Sequence, residues 1–229
     1  MEGGVLLLRP LVCFYAGVDK SKNLSRCSDT GVKQNKIGRK MKIEDTALQG
    51  IKLITPRRFG DPRGFFAETW NAKVFAEAGI ALEFVQDNHS ISETLGIVRG
   101  LHFQAPPHGQ AKLVRCGKGR LFDVAVDIRK GSSTYGKWVG YELSSENGLQ
   151  LLIPSGFAHG FMTLEPSTEI AYKCSNFYVP KAEGALRWDD PAIGIEWPLS
   201  VIAPALSEKD AAAPGLDGFD SPFSMESEA

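Results

Sequence analysis

The sequence predicts an all-β fold, an antiparallel sandwich or jelly roll with a few short helices. Apolar runs of strand length recur about every ten residues, Gly, Pro, Ser and Asn separate them, and no helical pattern lies between them. A parallel α/β sheet needs a helix between successive strands, so this rhythm favours antiparallel pairing. The predicted strands are residues 84–88, 97–103, 111–116, 121–128, 138–143, 150–153, 159–164 and 170–177.

Composition places the chain among ordinary globular proteins. Its 229 residues, 43% hydrophobic and 23% charged, suffice for one core, and we expect one domain. The net charge of -1 gives no basis for binding nucleic acid or an anionic membrane surface. No apolar run approaches the roughly 20 residues of a membrane helix, and we expect a cytoplasmic protein. The four cysteines, Cys13, Cys27, Cys116 and Cys174, lack CxxC spacing and are interpreted as reduced thiols.

Residues 1–42 differ from the remainder of the chain. They contain nine Lys or Arg residues against three acidic ones, and their apolar part is interrupted by Arg9 and Pro10. This is a poor secretory signal. A transit peptide and an extension upstream of a true start at Met41 both remain open, so organelle targeting does too. In either case we expect a disordered arm outside the fold.

Residues 43–216 are predicted to form the compact domain, followed by a flexible tail over residues 217–229. A strand at residues 51–54 precedes a turn-rich loop at residues 59–64, which leads into residues 65–70. Asn71 can cap a short helix with Val74, Phe75 and Ala78 on one face, and Gly79 can end it. Towards the C-terminus, residues 188–198 are predicted to be a loop packed by its tryptophans, and residues 207–213 a short helix.

Polar residues interrupt three neighbouring apolar strands between residues 98 and 129. They are Arg99, His102, Lys112 and Asp123. A base, two cations and a carboxylate on one sheet could converge on a ligand. Two of them have an ordinary structural interpretation as well. His102 could be a histidine packed on its strand. Lys112 is either a strand lysine that points to solvent or a buried cation held against an acceptor.

Four further residues invite a functional or a structural interpretation. A Pro-Gly turn brings His159 to the start of an apolar strand, where it could line the mouth of a barrel. Tyr172 and Tyr178 would share a face if their strand continued unbulged, as packing residues or as part of a site. Asp210 lies in a Ser207-x-x-Asp210 capping pattern, which does not exclude a catalytic role.

A metal site is the alternative at His159. A cupin-type metal site needs two histidines one residue apart and a carboxylate, and the four histidines of the chain do not supply that pair. They are His89, His102, His108 and His159. We therefore expect no metal.

Seven motifs, in unbroken order over about residues 43–216, closely resemble the dTDP-4-dehydrorhamnose 3,5-epimerases. They are FGDPRGFF from Phe59, FVQDNHS from Phe84, RGLHFQ from Arg99, KLVR from Lys112, DVAVD from Asp123, PSGFAHGF from Pro154 and WDDP from Trp188. The first forty residues have no counterpart in the family.

The resemblance implies a cupin-type jelly roll without metal or cofactor, and a homodimer in which N-terminal strands are exchanged. The implied enzyme is an isomerase that converts dTDP-4-dehydro-6-deoxy-D-glucose to dTDP-4-dehydro-L-rhamnose by epimerisation at C3 and C5, in L-rhamnose biosynthesis. Its substrate is a dTDP-linked 4-keto sugar.

The resemblance also assigns roles to residues. His102 resembles the general base and Asp210 the carboxylate that orients it, Tyr172 the acid on the opposite face of the sugar, and Lys112 the cation beside the ketone oxygen. Arg63 and Arg99 would hold the pyrophosphate. Residues before about 88 would reach the site from the partner chain. Other contacts to nucleotide or sugar fall on Glu68, Gln86, Asn88, His159, Glu183 and Lys209, with Phe59 and Tyr178 beside the thymine.

Three alternatives accompany this reading. The first is an epimerase of a related 4-keto-6-deoxy sugar nucleotide that acts at C3 or C5 alone. The second is a non-catalytic jelly roll that binds a sugar nucleotide, and the third is a metal-dependent cupin oxygenase.

Overall fold

The computed structural model of the protein describes residues 14–15, 41–198 and 203–225. In this part of the chain, the helices are α1 (Ala72–Glu77), a 3-10 helix (Pro180–Ala182) and α2 (Glu208–Ala211). The strands are β1 (Phe14–Tyr15), β2 (Lys42–Asp45), β3 (Lys52–Thr55), β4 (Arg58–Asp61), β5 (Gly64–Ala67), β6 (Gln86–Ser92), β7 (Val98–Gln104), β8 (Lys112–Lys118), β9 (Arg120–Asp127), β10 (Trp138–Ser144), β11 (Gln150–Ile153), β12 (Phe157–Thr163), β13 (Thr168–Cys174) and β14 (Glu183–Ala185).

These strands form a sandwich of two antiparallel sheets, as predicted from the rhythm of apolar runs. The first sheet has the order β1-β10-β9-β12-β7-β14 and the second the order β2-β3-β11-β8-β13-β6. Strands β4 and β5 pair separately as a hairpin. The all-β prediction and the jelly-roll architecture are confirmed.

The main core lies between the two sheets. Val139 and Leu143 of the first sheet pack in one cluster with Val114, Leu151 and Ile153 of the second. Alternate residues on a strand point to opposite faces, so only half of each strand serves this core. The other half must be covered elsewhere or face solvent.

The first sheet is covered on its outer face as well. Val124, Val126 and Trp138 pack there against Trp197 and Phe223 from the C-terminal segment. This explains why β9 is buried at nearly every position instead of alternating between buried and exposed residues. The predicted loop at residues 188–198 is packed by its tryptophans, and the rings of Trp188 and Trp197 lie 5.9 Å apart.

Helix α1 begins and ends where the sequence predicted. The side chain of Asn71 accepts hydrogen bonds from the backbone N–H groups of Lys73 and Val74, at 3.0 and 3.3 Å. Gly79 follows the helix with φ of +79°, a conformation that glycine adopts without a steric penalty. The buried Phe75 joins the helix to the outer face of the second sheet.

Three predictions about local structure need correction. Residues 59–64 are part of the β4–β5 hairpin, because the turn residues occupy only its tip. Strand β13 ends at Cys174, so Tyr178 lies in the following loop and does not share a strand with Tyr172. The C-terminal tail is packed as far as residue 225, because Phe223 fills the outer cluster of the first sheet and its carbonyl accepts from the N–H of Lys130 at 2.9 Å.

The predicted N-terminal arm falls mostly outside the described residues. Within it, Phe14 and Tyr15 pair with Gly140 and Val139 at the edge of the first sheet. The origin of residues 1–42 and the disorder of residues 1–13 and 16–40 therefore stay predictions, as does the flexibility of residues 226–229. Among the described residues, no helix is long and apolar enough to span a membrane. A cytoplasmic location stays a prediction.

Candidate active site

The site begins with a histidine–carboxylate pair between β7 and α2. Nε2 of His102 lies 2.5 Å from Oδ1 of Asp210, whose side chain is 4% exposed. An ionised carboxylate only accepts hydrogen bonds, so Nε2 donates and Nδ1 is left to accept a proton. Ser207 accepts from the backbone N–H of Asp210 at 3.1 Å, so the residue that caps α2 also fixes its carboxylate.

The surroundings of His102 favour its neutral, basic form. Burial lowers the pKa of His102, Asp210 opposes that effect, and the positive charges of Lys112 and Lys209 lower the pKa further. The net direction is downward from 6.5. At neutral pH the imidazole is therefore a free base.

Lys112 and Tyr172 reach the same cavity from the second sheet. The cavity has a volume of about 340 Å³ and is lined by His102, Lys112 and Tyr172, together with Gln86, Asn88, His89, Phe103, Gln104, Gln110, Tyr178 and Glu183. His102 belongs to the first sheet, so a base and a phenol occupy opposite walls of one cavity.

Both residues of the second sheet have perturbed acidities. Burial lowers the pKa of Lys112, while Cys174, Asp123 and Glu183 act in the opposite direction. Burial raises the pKa of Tyr172, and a hydrogen bond with Asn88 counters part of that rise. Tyr172 consequently holds its proton at neutral pH and can donate it.

His159 lies directly across from His102 in the pairing of β12 with β7. Its Nε2 is 2.8 Å from Oδ1 of Asp123, and both side chains are buried. The strands approach closely here: a Cβ added to Gly100 would lie 2.5 Å from the Cα of Gly160. Two histidines, each paired with a carboxylate, are thereby held side by side on the first sheet.

Glu183, Lys209 and Tyr178 close one side of the cavity. Lys209 forms a 2.5 Å ion pair with Glu183, and the hydroxyl of Tyr178 donates to the same carboxylate at 2.8 Å. Arg99 lines an adjoining cavity of about 320 Å³ with His102, Lys209 and Asp210. Cationic and hydrogen-bonding groups therefore flank the histidine–carboxylate pair.

Three predicted binding residues lie away from this cavity. Arg63 is at the tip of the β4–β5 hairpin, 90% exposed and paired with Asp61 at 2.5 Å. Phe59 and Glu68 line another cavity, of about 630 Å³, with Phe66. Gln86 behaves differently. Residues before about 88 were expected to reach the site from the partner chain. Gln86 instead lines the cavity of its own chain, because β6 pairs with β13, so that expectation is wrong for this residue.

Cys174 is the residue at the site that sequence reasoning missed. Its sulfur accepts a hydrogen bond from Nδ2 of Asn88 at 3.6 Å. The sequence interpretation treated it only as a reduced thiol. Its position two residues after Tyr172 on one strand, and hence on the same face, was the available signal.

The described residues contain no group of three or more His, Cys, Asp or Glu side chains arranged to hold a metal ion. The carboxylates of Asp123 and Asp210 are each paired with one histidine.

Residues 45–218 match the family model described as dTDP-4-dehydrorhamnose 3,5-epimerase. The chain belongs to this family. The protein is therefore an epimerase, an isomerase by class, and the resemblance noted from its motifs is confirmed.

Similar proteins carry the same family description. The dTDP-4-dehydrorhamnose 3,5-epimerase of Salmonella typhimurium is 54% identical over 77% of this chain and 96% of its own length. That of Sinorhizobium fredii is 53% identical over 77% of this chain and 90% of its own. The crystal structure of the Legionella pneumophila epimerase in complex with dTDP-4-keto-L-rhamnose is 48% identical, covers 79% of this chain and 95% of that one, and superposes with a TM-score of 0.75.

Proposed function

We propose that this epimerase inverts C3 and C5 of dTDP-4-dehydro-6-deoxy-D-glucose to form dTDP-4-dehydro-L-rhamnose, in L-rhamnose biosynthesis. The observation that carries the proposal is that His102 and Tyr172 face one cavity from opposite sheets. Inversion at carbon requires that a proton leaves one face of the sugar ring and another arrives at the opposite face. A base and an acid on opposite walls meet that requirement.

The chemistry follows from the C4 ketone of the substrate. C–H bonds on both neighbouring carbons are acidified, so one base beside the ring can serve C3 and C5 in turn. His102 removes the proton, the electron pair moves to the ketone oxygen, and the cationic Lys112 stabilises the resulting enolate. Tyr172 then protonates the carbon from the other face as the carbonyl reforms. His102 releases its proton to solvent and Tyr172 takes one up from solvent, which resets both groups for the second carbon. No cofactor takes part in this sequence.

Asp210 assists His102 at the step where charge appears. The imidazole becomes positive as it takes the proton, and a carboxylate at 2.5 Å stabilises that cation and fixes the tautomer. We therefore assign Asp210 as a positioning residue. His102, Lys112 and Tyr172 would contact the sugar.

The remaining polar groups suit a dTDP sugar. Arg99 and Arg63 carry the forked donors that match pyrophosphate oxygens. Aromatic rings can flank thymine. We assign Gln86, Asn88, His159, Glu183, Lys209 and Tyr178 of one chain to substrate binding, with Glu68, Phe59 and Arg63 from the other.

A homodimer with exchanged N-terminal strands would complete the site. The support for it is that Arg63, Phe59 and Glu68 lie away from the cavity of their own chain. Mixing two inactive variants tests it. In this arrangement Arg63→Ala damages the site of the partner chain, whereas His102→Ala damages the site of the chain that carries it. A mixed dimer would therefore hold one intact site of two. Because random pairing makes about half of the dimers mixed, it would restore about one quarter of wild-type activity. No restoration would place Arg63 in its own chain's site, and an active Arg63→Ala variant would place it outside any site.

The decisive experiment is the reaction in deuterated water. The substrate should acquire deuterium at both C3 and C5, with inversion at each.

The second candidate is epimerisation at one carbon, which is favoured by the 32% identity and TM-score of 0.71 to a 3'-monoepimerase of Streptomyces bikiniensis in complex with dTDP-quinovose. Label at one carbon would support that candidate. Binding without any exchange would indicate a binding protein, and stoichiometric metal in elemental analysis would indicate a metal cupin.

A further inference from the structure

A row of hydrogen bonds runs beside Tyr172 on the second sheet. The backbone N–H of Tyr178 donates to Oε1 of Gln86 at 2.9 Å, and Nε2 of Gln86 donates to Oδ1 of Asn88 at 3.0 Å. Nδ2 of Asn88 then donates to the sulfur of Cys174 at 3.6 Å. Turning either amide over would set donor against donor, so the row has one satisfied orientation.

We propose that Cys174 is a positioning residue for catalysis: its sulfur holds the Asn88 amide so that the N–H edge faces the oxygen of Tyr172. The inference rests on the proposed function, in which Tyr172 is the proton donor. Cys174 itself does not contact the substrate.

Strand pairing fixes the residues of this row relative to one another. Tyr172 lies directly across from Asn88, and Cys174 directly across from Gln86, in the pairing of β13 with β6. On its other side Cys174 faces Lys112 of β8. The sulfur therefore lies between the enolate-stabilising cation and the amide that contacts the proton donor, and it is fully buried.

A neutral thiol suits that position. Burial raises the pKa of Cys174, and this effect outweighs the nearby positive charge of Lys112, which lowers it. The thiol stays uncharged and leaves the positive charge of Lys112 available to the substrate. A carboxylate at the same place would form an ion pair with that lysine.

The contact between Asn88 and Tyr172 bears on the second half of the reaction. After Tyr172 gives up its proton, its oxygen is a phenolate, which an amide N–H stabilises. Burial is the largest influence on the pKa of Tyr172 and raises it, as do Cys174 and Glu183, whereas Asn88 and Arg99 lower it. Cys174 would raise the pKa of Tyr172 by charge only as a thiolate, and burial keeps it a neutral thiol. If the sulfur is removed, the main change is therefore that the Asn88 amide can rotate, the phenolate loses a donor and Tyr172 becomes a weaker acid.

The test compares Cys174→Val, which removes the acceptor, with Cys174→Ser, which keeps one. Two rates are measured on the dTDP-4-keto sugar in deuterated water: deuterium incorporation, which reports proton removal by His102, and formation of inverted product, which also needs Tyr172. In Cys174→Val we expect the ratio of inversion to incorporation to fall about tenfold, the effect of one hydrogen bond of about 1.4 kcal/mol. Cys174→Ser should restore most of it, and Cys116→Val, at a buried thiol on β8, should leave it unchanged.

Two further measurements separate positioning from general damage. The alkaline limb of kcat should move to higher pH in Cys174→Val, because the phenol is then harder to ionise. In an Asn88→Ala background Cys174→Val should have little additional effect on the ratio, since the sulfur acts through that amide. If the valine variant does not fold, Cys174→Ala gives the same comparison.

A variant without the sulfur that keeps the wild-type ratio and alkaline limb would overturn the inference while leaving the proposed function intact. Equal losses in both rates would also overturn it, because they would indicate a structural role. If the wild-type protein shows neither incorporation nor inversion, the proposed function itself fails.

Discussion

Replacing Asp210 with asparagine tests the base of the site most directly. The substitution keeps the size of the side chain and an oxygen that can accept from Nε2 of His102. It removes only the negative charge, which lies 2.5 Å from the imidazole in a nearly buried position. The fold and the cap formed by Ser207 should persist, because the cap contacts the backbone N–H of residue 210.

The size of the effect follows from the charge that develops on His102. A hydrogen bond to a charged partner contributes about 1.5–3 kcal/mol, and two unit charges about 4 Å apart interact by about 4 kcal/mol at an effective dielectric constant near 20. A loss of about 3 kcal/mol from the transition state lowers kcat roughly 150-fold. Substrate affinity should change little, since Asp210 acts through His102.

The pH profile gives an independent test, because the electrostatic argument predicts the direction in which the acid limb moves. Burial lowers the pKa of His102 and Asp210 raises it, so removing the carboxylate leaves the lowering effects unopposed. The acid limb of kcat/KM, where the base is lost by protonation, should move to lower pH in the variant. A merely destabilised enzyme would keep its limb in place.

The assay is a continuous measurement of epimerisation across the pH range, with Asp217→Asn as matched control. Asp217 is exposed in the same C-terminal segment, and its replacement makes the same change in charge. An Asp210→Asn variant within about threefold of wild type, against the roughly 150-fold loss expected, would refute the assignment of Asp210. A shift of the acid limb to higher pH would refute the electrostatic argument.

Three other outcomes are expected from the structure. Lys112→Met should keep the aliphatic stem, remove the charge beside the ketone oxygen and lower kcat by about 10²- to 10³-fold, measured in the same assay; a loss confined to KM would show that the lysine only binds. Burial raises the pKa of Asp127, but hydrogen bonds led by Arg129 outweigh it and hold the value below 3.8, so the ionised group stabilises the fold above about pH 4 and this contribution is lost as pH falls. In urea unfolding at pH 7, Asp127→Asn should therefore be less stable than the wild-type protein. Between pH 7 and pH 3 it should lose less stability than the wild-type protein loses, and parallel pH curves for the two proteins would contradict this. Phe122→Ala should lower the free energy of unfolding by about 3–5 kcal/mol, because the ring is buried against Trp138 and Trp197, whereas Phe177→Ala at an exposed ring should have little effect.

Local sequence patterns predicted most of the fold. Turn residues at regular spacing marked the strand ends, and the cap at Asn71 located α1 because capping depends on a few adjacent residues. The same reasoning failed at the C-terminus. Phe223 lies among polar residues, and its burial depends on a cluster whose other members are distant in sequence.

The candidate site was predicted unevenly. His102 and Lys112 were recognisable as polar interruptions of apolar strands, whereas Tyr172 and Asp210 each had a structural and a functional interpretation until the resemblance to the family assigned their roles. Cys174 was interpreted only as a reduced thiol, because a buried thiol has no sequence signature that separates packing from hydrogen bonding.

The sequence by itself determined that this chain would form antiparallel strands, cap its short helices and carry a base, a cation, an acid and a carboxylate. Those properties depend on residue type and on spacing over a few positions. Only the tertiary structure decided which of these groups meet. Asp210 and His102 are 108 positions apart, and their contact requires that α2 folds back across β7. Opposite placement of His102 and Tyr172 likewise arises because the two sheets face each other across one cavity, which no local pattern encodes.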